Sequence, residues 1–245
     1  MSGVAVVTGG ASGIGRATAT RLAQDGFAVA LLDINAEGNA TAAAELCRDG
    51  HRALACTTDV TDNAAITAAR DRVLAELGAP TVVITCSGWS VLADFTATDP
   101  AFWRHAIDTN LVGTIATARA FLDDMVAGGG GRIVTIASDA GRVGSSGEAV
   151  YSAAKGGVIG FTKALAREMA RRGVVVNCVC PGPTITPMLM AQPPKRIEAL
   201  TRAIPMRRLA EPGDVVSAIA FFARAASPYI TGQVLSVSGG LTMVG

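Results

Sequence analysis

Thr8-Gly9-Gly10-Ala11-Ser12-Gly13-Ile14-Gly15 joins an apolar run, Gly3 to Thr8, to a helix-forming segment, Ile14 to Asp25, that carries Ala, Arg and Leu. A second apolar run, Phe27 to Leu32, follows and ends on Asp33. Strand, glycine-rich turn, helix and strand make one βαβ unit. Glycines at such a turn permit unusual backbone angles and close approach, so that a pyrophosphate can sit on the free N–H groups of the helix N-terminus. The spacing is not G-x-G-x-x-G, and alone the turn reads equally as a tight strand-to-helix connection. Asp33 raises the first reading, because a carboxylate about twenty residues on, at the end of the second strand, can bind a ribose diol.

The alternation continues with a helix near Ala36 to Arg48, a strand near His51 to Cys56, a helix near Asp62 to Leu77 and a strand at Thr81 to Thr85. Asp99-Pro100 opens a helix that runs, with a bend, to Val126, where four glycines from Gly128 to Gly131 end it. Arg132 to Ala137 reads as strand, Ala149 to Arg172 as helix closed by Gly173, and Val174 to Cys180 as a buried strand. Pro212 to Arg224 is the last helix and Val234 to Val237 the last strand. The expected fold is α/β: one Rossmann-type domain over residues 1–245, a doubly wound parallel sheet with helices on both faces. The proline-rich stretch after Pro181 shows little periodicity until Lys195 to Ala203, and a connection that long predicts a substrate lid at about 183–210.

Composition narrows the classes. Half of the 245 residues are hydrophobic and only 4% aromatic, which suits strands buried under helices. A net charge of +1 creates no field that recommends nucleic acid. Cys47, Cys56, Cys86, Cys178 and Cys180 form no C-x-x-C and have no histidine at zinc spacing, so no metal site is expected and a reducing, cytoplasmic setting is. The chain enters Val4-Ala5-Val6-Val7 without a basic lead, and no apolar run reaches about 18 residues, so neither signal peptide nor membrane span is expected.

The chemistry concentrates in Tyr151-Ser152-Ala153-Ala154-Lys155. Residues four apart share a helix face, and a fixed positive charge beside a phenol pulls its pKa down from about 10. The bland alternative is an interfacial tyrosine followed by a solvated lysine.

Taken together, Thr8-Gly-x-x-x-Gly13-Ile-Gly15, Asp59-Val60, Asn110, Ser138, Tyr151-x-x-x-Lys155 and Pro181-Gly182 resemble the short-chain dehydrogenase/reductase family over essentially the whole chain. The resemblance implies a catalytic tetrad. Tyr151 would be general base in alcohol oxidation and acid in carbonyl reduction. Lys155 would bind the nicotinamide ribose and lower the tyrosine pKa, and Ser138 would hold the substrate oxygen. Asn110 would bend its helix and hold a proton-relaying water. The implied cofactor contacts are Gly9, Ser12, Gly13, Ile14, Gly15, Asp33, Asp59, Val60, Gly88, Pro181, Gly182, Thr184 and Thr186, besides Tyr151 and Lys155. Bland readings stand beside these: Asp59 as cap of the following helix, Asn110 as a kink, Ser138 as a turn former, Thr186 as a loop shaper before Pro187. A 2′-phosphate at Asp33 would juxtapose like charges at roughly 1 to 4 kcal/mol, and neither Ser12 nor Ile34 offers a cation. The expected cofactor is NAD rather than NADP.

One departure touches the site. Thr85-Cys86-Ser87-Gly88 stands where the family has Asn-Asn-Ala-Gly, which removes the asparagine that ties neighbouring strands. Asp139, Arg142, Trp89, Met188, Leu189 and Met190 are candidate substrate contacts. Between Pro187 and Ala210, Lys195, Arg196, Arg202, Arg207 and Arg208 face one acid, Glu198. These read either as a solvated helix face with structural arginines, or as attraction for the phosphates of a coenzyme A thioester. Ser138 to Glu148 is similar to the corresponding stretch of members that oxidise cyclic hydroxyacyl-CoA compounds. The expected function is hydride transfer between NAD(H) and a secondary alcohol or ketone, with a cyclic hydroxyacyl-CoA as candidate substrate. The alternatives are a 3-oxoacyl-[acyl-carrier-protein] reductase and a non-catalytic NAD-sensing module. The resemblance further implies a homotetramer that pairs the Asn110 and Tyr151 helices between subunits, with Ser238 to Gly245 as a second interface.

Overall fold

The computed structural model describes residues 3–224 and 229–244. Gly245, the last residue of the second interface suggested above, lies outside them. Seven strands form one sheet: β1 (Val4–Thr8), β2 (Ala28–Asp33), β3 (Ala53–Thr57), β4 (Val82–Thr85), β5 (Gly131–Ile136), β6 (Val174–Pro181) and β7 (Val234–Val237). Their order is β3-β2-β1-β4-β5-β6-β7, and every pair is parallel. A sheet buried on both faces needs apolar residues at every position, with alternate side chains serving opposite layers. The first two strands do this residue by residue. Val4, Val6, Ala28, Ala30 and Leu32 pack into one layer; Ala5, Val7, Val29 and Leu31 pack into the other.

Three helices cover the second of these layers: α1 (Gly13–Gln24) through Leu22, α2 (Ala36–Arg48) through Leu46, and α10 (Pro212–Ala223) through Ile219 and Phe222. The first layer is filled from α3 (Asn63–Glu76), α5 (Gly113–Ala127) and α7 (Ala149–Met169), with Phe121 and Met125 of α5 fully buried. The helix that opens at Asp99 is interrupted. Asp99 caps α4 (Pro100–Ile107) by accepting from Phe102 N at 2.8 Å, a π-turn over Asp108–Val112 follows, and α5 continues. The expected bend is therefore an inserted π-turn, and Asn110 sits in it. Gly113 leaves it under the third strand's loop, where a Cβ would stand 2.8 Å from Val60 Cγ2.

Short helices appear where sequence periodicity is silent: α6 (Ala140–Val143) after β5, and α8 (Pro187–Met190) ahead of α9 (Pro194–Ala203). Thr186 caps α8 by accepting from Leu189 N. The segment carrying α8 and α9 leaves and rejoins the domain at one bridge, where Ala210 N donates to Pro183 O and Ile185 N to Ala210 O. The cap of α3 is Asp62, not Asp59, which instead accepts from Thr61 N and Oγ1. No helix among the described residues is long and apolar enough to cross a membrane.

β1 and β4 are neighbours whose onward connections run to opposite sides, and this topological switch opens a crevice at the strands' C-terminal ends. Gly9 and Gly15 shape its floor. Gly9 has φ +70° and lies so close to β4 that a Cβ would meet the Cys86 backbone at 3.1 Å. At Gly15 a Cβ would sit 2.0 Å from Gly9 O. That contact is with backbone and cannot be relieved by a rotamer, so Gly15→Ala is expected to destabilise the fold by about 3 kcal/mol. Thermal unfolding should register this as a Tm lower by roughly 6–12 °C.

Candidate active site

A cleft of about 830 Å³ opens along this edge. One wall is the glycine-rich turn, where Gly9, Ser12, Gly13, Ile14 and Gly15 all line it. Ser12 is the N-cap of α1 and its side chain makes no cap bond, so the leading N–H groups of the helix have no side-chain acceptor. Asp33 stands beside them at the end of β2, with Oδ2 accepting from Ala11 N at 3.0 Å and Oδ1 from Asn35 N at 2.9 Å. Asp59, Val60 and Gly88 line the cleft from the ends of β3 and β4. Pro181, Gly182, Thr184 and Thr186 line it from the end of β6 onward.

Ser138, Tyr151 and Lys155 line the same cleft, from the end of β5 and from α7. Ser138 follows β5, and its Oγ accepts from Ala140 N at 3.1 Å, which fixes the hydroxyl over the turn into α6. Tyr151 and Lys155 are one helical turn apart on α7, with Lys155 Nζ 5.8 Å from the tyrosine ring centroid. Lys155 is 3% exposed and donates to Ile136 O at 2.9 Å.

The electrostatics differ from the expectation that Lys155 lowers the tyrosine pKa. Burial raises the Tyr151 pKa above its ordinary value of 10.0; bonding with Ser138 opposes this, and the Glu148 carboxylate adds to the rise. Burial also pushes Lys155 down to about 8. In a buried pocket desolvation penalises the ammonium itself, and Ser138 is the largest of the groups that favour phenolate. A lysine whose folded pKa lies below its unfolded value binds fewer protons than the unfolded chain between about 8 and 10.5. Its stabilising contribution is full above 10.5 and lost as pH falls through about 8. Relative to Lys155→Met, the wild-type urea midpoint should therefore rise between pH 7.5 and pH 10.

Asn110 is the one tetrad or cofactor candidate that does not line the cleft. It is fully buried beneath it, with Nδ2 donating to Trp89 O at 2.7 Å and Ala106 O at 2.8 Å while Oδ1 accepts from Trp89 N at 3.1 Å. Both amide hydrogens are engaged, so its side chain has none to offer a water. It clamps the π-turn to the Gly88-Trp89 segment, and a Cβ on Gly88 would lie 3.1 Å from Asn110 Oδ1 and 3.6 Å from Lys155 Nζ.

At position 86, where the asparagine is missing, the backbone is tied to the neighbouring strand by a residue of the glycine-turn motif. Thr8 Oγ1 accepts from Cys86 N at 2.9 Å and from Ser87 N at 3.0 Å, tying β1 to the end of β4. Burial pushes the Cys86 thiol up to about 12, so it is a protonated, unreactive group at neutral pH. Cys178 and Cys180 share one face of β6, fully buried with sulfurs 4.0 Å apart.

Among the substrate candidates, Trp89, Asp139, Met188 and Leu189 line the cleft. Arg142 does not. Its guanidinium turns away to donate to Ser236 Oγ at 2.9 Å and Val244 O at 2.7 Å, holding the C-terminal segment. Met190 is exposed outside the lining. Of the five basic residues, Arg208 is structural: it pairs with both Asp214 oxygens at the capping box of α10, and Arg207 donates to Arg202 O. Arg196 lines the cleft, as do Glu148, Gln192 and His105, which motif reading did not single out.

A family model described as enoyl-(acyl carrier protein) reductase matches residues 9–242. A cis-4-hydroxycyclohexanecarboxylate dehydrogenase of Sinomonas cyclohexanicum is 41% identical over 242 residues, covering 98% of this chain and 97% of that one. The (2S)-[(R)-hydroxy(phenyl)methyl]succinyl-CoA dehydrogenase subunit BbsD of Thauera aromatica is 38% identical, with 98% and 96% coverage. A crystal structure of an actinorhodin polyketide ketoreductase with NADPH superposes with a TM-score of 0.93 at 34% identity, covering 98% of this chain and 97% of that one.

Proposed function

Because this chain belongs to the short-chain dehydrogenase/reductase family of nicotinamide-dependent oxidoreductases acting on CH–OH and C=O groups, we propose that it uses NAD to oxidise a secondary alcohol in a hydroxyacyl compound. The candidate substrates are cyclic hydroxy acids and their coenzyme A thioesters. The observation that carries this reading is that two sets of residues line one cleft: the glycine-rich turn with Asp33, and Ser138 with Tyr151 and Lys155. The first set fits a dinucleotide because its leading helix N–H groups lack a side-chain cap and its ribose-side carboxylate is already anchored.

The pyrophosphate would lie against Gly9 to Gly15, the adenosine ribose at Asp33, the adenine near Asp59-Val60 and the nicotinamide between Gly88, Pro181-Gly182, Thr184 and Thr186. When bound, the nicotinamide supplies the hydride donor or acceptor. Everything else is done by the chain. Ser138 Oγ hydrogen-bonds the substrate oxygen and steadies the charge that develops on it. Tyr151 Oη gives that oxygen a proton in reduction and takes one in oxidation. Lys155 Nζ, oriented by Ile136 O, binds the nicotinamide ribose and, while charged, favours the phenolate form. Asn110 acts through the bend it clamps; a relay water would have to donate to its acceptor oxygens. The segment 183–210 serves as the lid that excludes water.

The test is a screen for NADH formation with secondary alcohols, hydroxy acids and hydroxyacyl-CoA thioesters. Binding of NAD without turnover of any of them would overturn the reading. Within it, Lys195 and Arg202, exposed on the lid, are candidate charges for a thioester's phosphates. Equal kcat/KM for a hydroxyacyl-CoA and its free acid would remove that role. The second reading, a 3-oxoacyl-[acyl-carrier-protein] reductase, is favoured by the likeness to a relative of that name in Vibrio harveyi, 37% identical over 98% of this chain and 98% of that one; preferential turnover of a carrier-bound 3-oxoacyl chain would establish it.

The same reading includes a homotetramer. Ile107, Val112 and Ile115 are exposed on the helices flanking Asn110, and Ala153 and Gly160 present a small, open face on α7. Phe221, Leu235 and Met243 form a second exposed apolar set. Sedimentation velocity decides between monomer, dimer and tetramer. A reducing, cytoplasmic setting accords with five cysteines that are all thiols.

A further inference from the structure

Four segments converge at the end of the cleft one helical turn before Tyr151. Glu148, N-cap of α7, receives Ser90 Oγ at 2.9 Å on Oε1 and Ser145 Oγ at 2.7 Å on Oε2. Arg196, in the first turn of α9, approaches the same group from the lid side. Its Nε donates to Gln192 Oε1 at 3.0 Å, which fixes the plane of the guanidinium. Its two terminal nitrogens reach Ser145 Oγ, Ser146 O and Glu148 Oε2 only at 3.4 Å.

The two sets of distances have different meanings. A charge-assisted N–H···O bond closes to about 2.7–2.9 Å. Glu148 has its short bonds from two hydroxyls and does not need the arginine to satisfy its oxygens. Arg196 has a short bond at Nε alone; the fork of its two terminal nitrogens is oriented, and its ion pair with Glu148 is a long one at 3.4 Å that a substrate carboxylate would have to replace. That fork lines the cleft. Lys155 and Arg196 are the two Lys or Arg side chains that do so among the described residues, and Lys155 is engaged with Ile136 O at the reacting end. The lining of the same cleft includes the apolar side chains Trp89, Val143, Leu189 and Leu200.

We propose that Arg196 is a carboxylate-binding subsite: it receives the free carboxylate of a hydroxy acid whose apolar body lies along these side chains and whose carbinol reaches Tyr151. The inference rests on the dehydrogenase reading above and narrows its substrate to the free acid rather than the thioester. A planar fork suits a carboxylate bidentately, whereas a thioester or methyl ester offers one weak carbonyl acceptor. The position of Arg196 in the first turn of α9 adds the positive end of that helix.

The experiment compares wild type with Arg196→Gln and Arg196→Lys in two measurements. In the first, kcat/KM is determined with NAD for 4-hydroxycyclohexanecarboxylate and its methyl ester. The acid-to-ester ratio is expected to fall about 10- to 100-fold in Arg196→Gln and by less in Arg196→Lys, which keeps the charge and loses the fork. In the second, titration calorimetry measures binding of cyclohexanecarboxylate, which lacks the reacting hydroxyl; its Kd is expected to rise about 10-fold or more in Arg196→Gln. An unchanged ratio together with an unchanged Kd would overturn the proposal and leave Arg196 as a latch between lid and α7. If neither acid, ester nor any other secondary alcohol is oxidised by wild type, the dehydrogenase reading falls instead. The calorimetric arm still decides whether the carboxylate subsite exists.

Discussion

Tyr151→Phe is expected to lower kcat about 10²- to 10⁴-fold, the range of a lost general acid or base, with little change in KM. The substitution keeps the ring beside Lys155 and removes the hydroxyl, with its transferable proton and its bond to Ser138. Since burial raises the phenol's pKa above its ordinary value, the hydroxyl is protonated at neutral pH and ready to donate to a carbonyl oxygen. Reduction should therefore be nearly independent of pH around neutrality and decline as the phenol deprotonates on the alkaline side. Oxidation, which needs phenolate, should speed up as pH rises. Ser138→Ala removes the hydroxyl that favours phenolate, so its residual oxidation should shift to still higher pH. Steady-state kinetics in both directions checks all three outcomes. A Tyr151→Phe variant that keeps more than a tenth of wild-type kcat would exclude Tyr151 from proton transfer.

What the sequence discloses here is mainly what is local in it. The unit from Val4 through the glycine turn to Asp33 is readable because its strand, turn and helix signals are consecutive, and the carboxylate it presents lies at the end of the next strand. The Tyr151 and Lys155 pair is readable because a helix repeats every 3.6 residues. Direction is harder. Arg142 lies four residues from Ser138, yet its guanidinium serves Ser236 and Val244, which no spacing discloses. The cap of α3 passes from Asp59 to Asp62 because two acids stand three residues apart, and only backbone geometry chooses between them. The π-turn at Asn110 carries no residue signature, since it is an added residue in a continuous helix rather than a break. Tertiary ties are invisible altogether: Thr8 holds the backbone of Cys86 from 78 residues away. The contacts of Arg196 come from Ser145, Ser146, Glu148 and Gln192 in three separate loops and helices.

NAD is expected to be preferred over NADP by about 5- to 1,000-fold in kcat/KM, the factor equivalent to roughly 1–4 kcal/mol of like-charge contact. The fold itself is neutral on the point, as a neighbour of the same architecture binds NADPH. The choice is made by side chains around the end of β2. Asp33 cannot turn aside from a 2′-phosphate, because Ala11 N holds one carboxylate oxygen and Asn35 N the other. The residue beside it, Ile34, is 68% exposed and brings no charge. Arg16, one turn into α1, is paired with Glu45 of α2, so recruiting it would break an ion pair. Asp33→Asn removes the charge while keeping an acceptor oxygen, and should raise kcat/KM for NADP and lower it for NAD, collapsing most of the preference. The loss on NAD should appear chiefly in KM, since the ribose diol is bound equally in ground and transition states. Higher kcat/KM with NADP in wild type would mean that a cation reaches the 2′-position despite Asp33. If the preference then persisted in Asp33→Asn, the carboxylate would be a structural tie for the glycine turn and not the selector.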